Sequence, residues 1–303
     1  MSTASGPDDH WPKPLAERWE PAGSPLGAIV GECADLRRGF ANWPSLLAAI
    51  AVGRLRGQPL ALHMQVRGGP TLQTLSGDWS WWTVVECFGR DCYRLRSIDL
   101  PQGPAVVDIG ANIGAFTLAV LARWPEARVT AIDASPTAVE VLTSNIARYG
   151  ASARVVVRHA AVVGPERGAF VFLHERHGNL CMSSLLEPAD VGPDRQVKVP
   201  AVELPAVLNA YPAGVDLLKL DIEGAEYEVL GTVPVEQLAT IGRMVIEYHA
   251  VPGHGVNELA RRCAAAGMVW EWHEHSPDPA GGCAAGPGRS SSGEPPTGVG
   301  RRN

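Results

Sequence analysis

The sequence carries little charge for its length and no excess of positive charge. Acidic and basic side chains make up 19% of its 303 residues, and the formal net charge is −6. A phosphate-binding surface needs clustered Lys and Arg, so no nucleic acid partner is expected. Long apolar runs are missing too. No stretch approaches the ~18 residues of a membrane-spanning helix, and no membrane partner is expected. Cysteine is sparse and without pattern: Cys33, Cys87, Cys92, Cys181, Cys263 and Cys283 form no C-x-x-C pair and no metal-ligand spacing. The opening MSTASGPDDHWPKP has neither a basic leader nor an apolar core, so it does not read as a secretory signal. A reduced, soluble, cytoplasmic protein is the expectation.

Glycine and proline are plentiful, and their placement divides the chain. Residues 1–30 mix Pro, Gly, Ser and charge and read as a disordered arm. Residues 31–99 read as a small α+β region that helps cover the site. It has a helix over 45–55, with Pro44 at a tolerated first-turn position, and a hairpin of 60–66 and 71–75 around Arg67-Gly-Gly-Pro70. Asp78 then caps a segment bearing Trp81, Trp82, Val85 and Phe88, an aromatic stripe that is either core or pocket cover, with Trp82 the candidate for substrate contact. From 100 to 276 strands alternate with helices: strands over 129–132, 154–157, 216–221 and 243–248, and a helix opening at Ser135-Pro136 and stopping at Gly150. That alternation implies an α/β fold, a Rossmann-like, doubly wound, mostly parallel sheet that binds ligands at the strands' carboxyl ends. Between 155 and 202 it is interrupted by extra strands over 169–173 and 196–202, with a polar loop over 175–184 between them.

The central stretch is Val106-Val-Asp-Ile-Gly-Ala-Asn-Ile-Gly-Ala-Phe-Thr117. A short apolar strand ends at Asp108, turns through Gly110, Asn112 and Gly114, and enters an apolar helix. Glycines permit the turn and a close approach to a ligand. The nicotinamide pattern G-x-G-x-x-G does not fit, and the acidic residue stands before the turn, where a ligand with a cationic end would profit from it. D-x-G-x-N-x-G resembles the first motif of class I S-adenosylmethionine (SAM) methyltransferases, with Asn112 where many members have glycine. Asn tolerates the left-handed conformation, so the turn survives. Asp133, at the end of the second strand, is placed to accept both ribose hydroxyls, with helix capping as the plainer reading. The third strand ends at Arg158-His159-Ala160-Ala161, where an adenine edge would lie; Ala160 is the candidate there, and His159 reads equally well as structural.

The second motif is Leu218-Lys-Leu-Asp-Ile-Glu-Gly-Ala-Glu-Tyr227. It puts Lys219 and Asp221 on one face of a strand, then Glu223 and Gly224 in a turn, then a helix. So many charges at a strand end must face solvent or a ligand. With both motifs in order, and Ser183-Ser-Leu185 between them, the sequence resembles the FkbM family of SAM-dependent methyltransferases over about residues 80–275. The resemblance implies a Rossmann-like fold, SAM as cofactor, and methylation of a hydroxyl on a small molecule such as a natural product or sugar. An alcohol needs a base. Asp221 and Glu223 are the first candidates, Glu247 and His249 the second, and Ser183, Ser184 and Trp82 are candidates for substrate contact. Lys219 reads as the salt-bridge partner of Asp221, and Glu226 as a first-turn residue favoured by the helix dipole. Asp221 and Glu223 could share a cation, but no third ligand stands at convincing spacing, so no metal is expected.

Methyltransferases of this class usually close with a helix and an antiparallel strand pair. Residues 257–266 and 268–273 supply the helix and one strand. Residues 277–303 have no strand pattern and read as a disordered tail, so the last strand is expected to be missing and an edge left open, inviting a homodimer. Two other functions remain: a dinucleotide-dependent oxidoreductase, and a scaffold that keeps the fold without turnover.

Overall fold

Two apolar runs set the middle of the protein. Val106, Val107 and Ile109 in the first, and Leu217, Leu218 and Leu220 in the second, are all buried. Successive side chains of a strand point to opposite faces, so such runs must be covered on both sides. In a computed structural model of the chain they are neighbouring strands at the centre of one sheet. The structure describes residues 33–76, 80–176, 179–185, 196–249, 251–269, 271–273 and 282–285. The expected arm over 1–30 and the cap at Asp78 lie outside them, as does most of the tail.

In chain order the N-terminal part comprises α1 (Trp43–Arg56), β1 (Ala61–Gln65), β2 (Thr71–Leu75), α2 (Ser80–Val84) and a π-helical turn over Val85–Arg90. Then come β3 (Ala105–Ile109), α3 (Ala115–Arg123), β4 (Arg128–Asp133), α4 (Pro136–Tyr149) and β5 (Val155–His159). The insertion holds β6 (Ala161–Val163), β7 (Phe170–Arg176), β8 (Asn179–Ser184), β9 (Gln196–Glu203) and α5 (Leu204–Leu208). The remainder is β10 (Val215–Leu220), α6 (Glu226–Thr232), α7 (Val235–Leu238), β11 (Ile241–Tyr248), α8 (Val256–Ala265), β12 (Glu271–His273) and β13 (Gly282–Ala285).

The main sheet runs β12-β13-β11-β10-β3-β4-β5, parallel from β11 to β5. The expected doubly wound α/β fold is the one observed. Chain order reverses at β3, which has β4 on one side and β10 on the other, so a crevice opens beyond the carboxyl ends of β3 and β10. Local signals act as expected at α4: Ser135 Oγ accepts the Ala138 N–H, Pro136 starts the helix, and Gly150 ends it with φ 74°.

The N-terminal region shares one hydrophobic core with this sheet. Leu36, Phe40, Leu62, Leu72 and Tyr93 are buried in the same cluster as Val106, Phe116 and Leu142. A buried amide adds a specific tie. Asn145 of α4 accepts the Gln73 N–H at 2.8 Å and donates to Gln73 O at 3.2 Å and Ile113 O at 3.0 Å, joining the β1–β2 hairpin to the turn after β3.

Two expectations are corrected. The polar stretch over 175–184 is not a loop: β7 and β8 form an antiparallel pair within it, and with β6 and β9 make a second, four-stranded sheet. The final strand is not missing either. β13 lies between β11 and β12, antiparallel to both. Its sequence, Gly-Cys-Ala-Ala, has little strand propensity, but main-chain bonding to two neighbours compensates for that. The β11 edge is therefore covered, and the argument for a homodimer across it lapses.

A proline within β13 should expose this dependence. Ala284→Pro removes a ladder N–H between two paired neighbours, at a cost of roughly 2 kcal/mol. A Tm lowered by about 4–8 °C in a thermal melt is expected; an unchanged Tm would mean that β13 contributes little to the sheet.

Candidate active site

The turn after β3 is shaped by left-handed residues: Gly110 at φ 73°, Asn112 at 49° and Gly114 at 89°. Gly110 has a second reason to be glycine. A Cβ there would lie 1.7 Å from the carbonyl oxygen of Asp221, so only glycine lets the turns after β3 and β10 touch. The turn's N–H groups are all used within the protein. Gly110 and Ala111 donate to Ile132 O, Asn112 to Asp133 Oδ2, Ile113 to Asn112 Oδ1, and Gly114 to Ala111 O. A pyrophosphate would need such groups free.

Acidic groups flank this turn. Asp108 is fully buried; Thr117 Oγ1 donates to its Oδ2 at 2.6 Å, while Oδ1 has no hydrogen bond and lies 3.6 Å from Lys219 Nζ. Burial raises its pKa against the pull of Lys219. Asp133 accepts the Asn112 N–H at 2.7 Å on one oxygen and the Ser135 N–H at 2.8 Å on the other, and burial raises its pKa to about 6. Ala160 packs beside it, donating its N–H to Asp133 O. His159 Nε2 pairs with Ala134 O at 3.0 Å, the structural alternative. Asp108, Gly110, Asn112, Gly114, Asp133 and Ala160 are thus gathered along the carboxyl ends of β3, β4 and β5.

Lys219 joins this group to the second motif. Its ammonium is buried, donates to Gly110 O at 2.5 Å, and lies 3.1 Å from Asp221 Oδ2. Burial alone would lower its pKa; the charges of Asp221 and Asp108 outweigh that and hold it above the ordinary lysine value. The expected salt bridge to Asp221 is present, and it extends to Asp108.

Beyond β10 the candidate acids converge. Glu223 sits at φ 52°, a conformation costly for a residue with a Cβ, and its Oε2 is 3.4 Å from His249 Nε2. Burial, then the charges of Asp221 and Glu247, raise its pKa to about 8, with His249 opposing. Burial would lower the pKa of His249, but Glu223 and Glu226 raise it well above the ordinary value. Glu247 is raised by burial and by Asp221. Asp221, Glu247 and His249 offer one donor atom each within 4.8 Å of one another, a third donor that spacing did not announce. The Lys219 ammonium and the His249 ring already face these carboxylates. The set is therefore suited to holding and moving protons.

Sequence reasoning missed three participants. Tyr93 Oη lies 3.2 Å from Asp221 Oδ2 and 3.1 Å from Glu247 Oε2, its ring edge-on to Phe116. It stands between two left-handed residues, Asp91 and Arg94, in a stretch without periodicity, so no pattern marks it. Glu86, in the π-helical turn, accepts the indole N–H of Trp82 at 2.9 Å, and burial and Glu247 raise its pKa; the four-residue spacing to Trp82 was the available signal. Trp82 thus joins the acidic group through Glu86, with the Arg90 guanidinium 4.6 Å from its ring centroid. Glu226 is completely buried and binds inward, a role that its place in a first turn did not suggest. Ser183 and Ser184 end β8, which packs near α2, the helix of Trp82.

The methyltransferase FkbM domain matches residues 108–274, which spans both turns and the β11 acids. The chain belongs to that family. Among its relatives, methyltransferase sdnD of Sordaria araneosa is 31% identical over 191 residues, covering 54% of this chain and 72% of that one. The 31-O-demethyl-FK506 methyltransferase FkbM of Streptomyces tacrolimicus is 26% identical over 214 residues, covering 63% and 82%. A solved methyltransferase FkbM from Methylobacillus flagellatus KT aligns at 14% identity with a TM-score of 0.45, covering 68% of this chain; this chain spans about half (53%) of that one.

The charge arrangement of this FkbM-family site makes two stability predictions. Lys219→Met leaves the buried Asp108 carboxylate and the partly exposed Asp221 carboxylate without their shared ammonium, and should destabilise the fold by about 3–5 kcal/mol in urea unfolding. Glu223 and His249 both bind protons more tightly when folded, so each contributes stability that is lost as pH rises. For Glu223 the window runs from 4.5 to about 8. Tm should fall across it, and less steeply in Glu223→Gln; equal slopes would remove Glu223 as a cause.

Proposed function

We propose that the protein is a SAM-dependent O-methyltransferase acting on a hydroxyl of a small molecule, such as a natural product or sugar. The observation that carries this reading is the pair of acidic side chains, Asp108 and Asp133, at the ends of adjacent strands around a turn whose N–H groups are already bonded. Each Asp133 oxygen accepts one backbone N–H and keeps a lone pair for a ribose hydroxyl. Asp108 Oδ1, buried without a hydrogen bond, suits the ammonium end of the same ligand. Bound there, SAM would supply an electrophilic methyl on sulfonium. A dinucleotide is disfavoured because its pyrophosphate would find no free N–H in that turn. The scaffold reading loses its motive, since β13 completes the sheet.

The residues beyond β10 and β11 suit an alcohol acceptor. Glu223, partly exposed and facing His249, takes the proton as the oxygen attacks; burial raises its pKa to about 8, so it acts from its deprotonated form, whose share grows as pH rises toward that value. Asp221 and Glu247 orient the acceptor hydroxyl, themselves fixed by Lys219 and Tyr93. Trp82 belongs to the acceptor side, and so does β8, the strand that carries Ser183 and Ser184 and packs near its helix. The relative named as a 31-O-demethyl-FK506 methyltransferase lends support to oxygen as the accepting atom. Cys33, Cys87, Cys92 and Cys263 are free thiols, which suits a reducing, cytoplasmic setting.

The direct test is thermal shift with SAM, its demethylated product and NAD. A ligand at 100 times its Kd adds about 2.7 kcal/mol, roughly 5–10 °C for a domain of this size. A shift with the first two and none with NAD is expected; the opposite pattern would return the protein to the oxidoreductases. Asp133→Ala should weaken SAM binding about tenfold or more by calorimetry, and unchanged affinity would remove Asp133 from the site.

A further inference from the structure

Glu226 is buried completely, yet among the described residues no Lys or Arg pairs with it. Its partners are a turn and a ring. Oε1 accepts the Ile222 N–H at 3.0 Å and lies 2.9 Å from His249 Nδ1, and Oε2 accepts the Gly224 N–H at 3.0 Å. A helix-dipole preference would leave a first-turn Glu exposed, and it explains neither the burial nor the inward reach. The N–H groups of Ile222 and Gly224 flank Glu223, the residue held at φ 52°. One carboxylate therefore grips both partners of the Glu223–His249 pair, the first through its backbone and the second through its ring.

We propose that Glu226 is the positioning residue of this site, fixing His249 by accepting its Nδ1–H and holding the Glu223 turn in its left-handed form. The inference rests on the reading of Glu223 as the base. Because Oε1 already receives a backbone N–H, the carboxylate is the acceptor and Nδ1 carries the proton. Nε2 is then directed at Glu223 Oε2, 3.4 Å away. The acidic groups facing the ring are Glu223, Glu226, Asp221 and, on β11 itself, Glu247. With Nδ1 committed to Glu226, the ring cannot turn to offer its other edge, and Glu223 keeps one orientation toward the acceptor. A pair held within a fraction of an ångström is where orientation makes its largest contribution to rate.

The test uses the full chain with ring-¹⁵N histidine at pH 7 and no ligand, His249 being assigned by the signal lost in His249→Gln. In the wild type, His249 Nδ1 should be protonated, its proton slow to exchange with water. In Glu226→Gln that proton should exchange about tenfold faster or more. SAM affinity should stay within roughly threefold while kcat falls about tenfold or more. Glu226→Gln should cost less kcat in the His249→Gln background than it does alone, the remainder being its hold on the Glu223 turn. A bare Nδ1 in the wild type overturns the proposal, with no variant needed should Glu226→Gln fail to fold. An Nδ1 proton equally protected in Glu226→Gln overturns it as well. Failure to transfer methyl to any alcohol would instead count against the O-methyltransferase reading, leaving the spectroscopic result intact.

Discussion

The site depends on one buried ammonium. Lys219 comes from a central strand, and its Nζ meets the carbonyl of Gly110, the carboxylate of Asp221 and, at longer range, that of Asp108. Asp108 is fully buried and Asp221 only partly exposed, so their like charges oppose one another, and the ammonium between them offsets that repulsion. That cation also joins the two halves of the crevice mechanically. The turn that would hold the cofactor and the turn that would hold the acceptor are in direct contact at Gly110 and Asp221, so a shift in one is felt in the other.

The region before the sheet is part of this arrangement. Tyr93 and Glu86 precede β3, and both reach the acids at the ends of β10 and β11. The hairpin is fastened through Asn145 to Ile113 in the β3 turn. The hairpin and the π-helical turn are thus walls fixed by a common core.

The fold was legible because its signals are local. Apolar runs of strand length, Ser135-Pro136, Gly150 and the two motifs each act within a few residues. The acids at strand ends were legible for the same reason, since strand position alone brings Asp108, Asp133, Asp221 and Glu247 to one rim. What stayed hidden depends on distant partners. Tyr93 is functional in position only because β10 and β11 end beside it. Glu226 has the sequence address of a solvent-facing helix start and turns inward because two N–H groups and His249 await it. Hairpin β7–β8 was masked by polar composition, and β13 by the absence of any branched or aromatic residue.

β13 is held by main-chain pairing to both neighbours, and that has a practical cost. The span shared with the family ends at residue 274, while the strand that fills the gap between β11 and β12 begins at Gly282. A polypeptide trimmed to the recognisable domain would keep Asp108, Asp133, Asp221, Glu223, Glu226 and Glu247 and lose the strand beside Glu247. The exposed margin would then be β11, long, apolar and flat, with a row of unpaired N–H and C=O groups ready to recruit another chain. The edge of the main sheet is thus guarded by the protein's least distinctive residues.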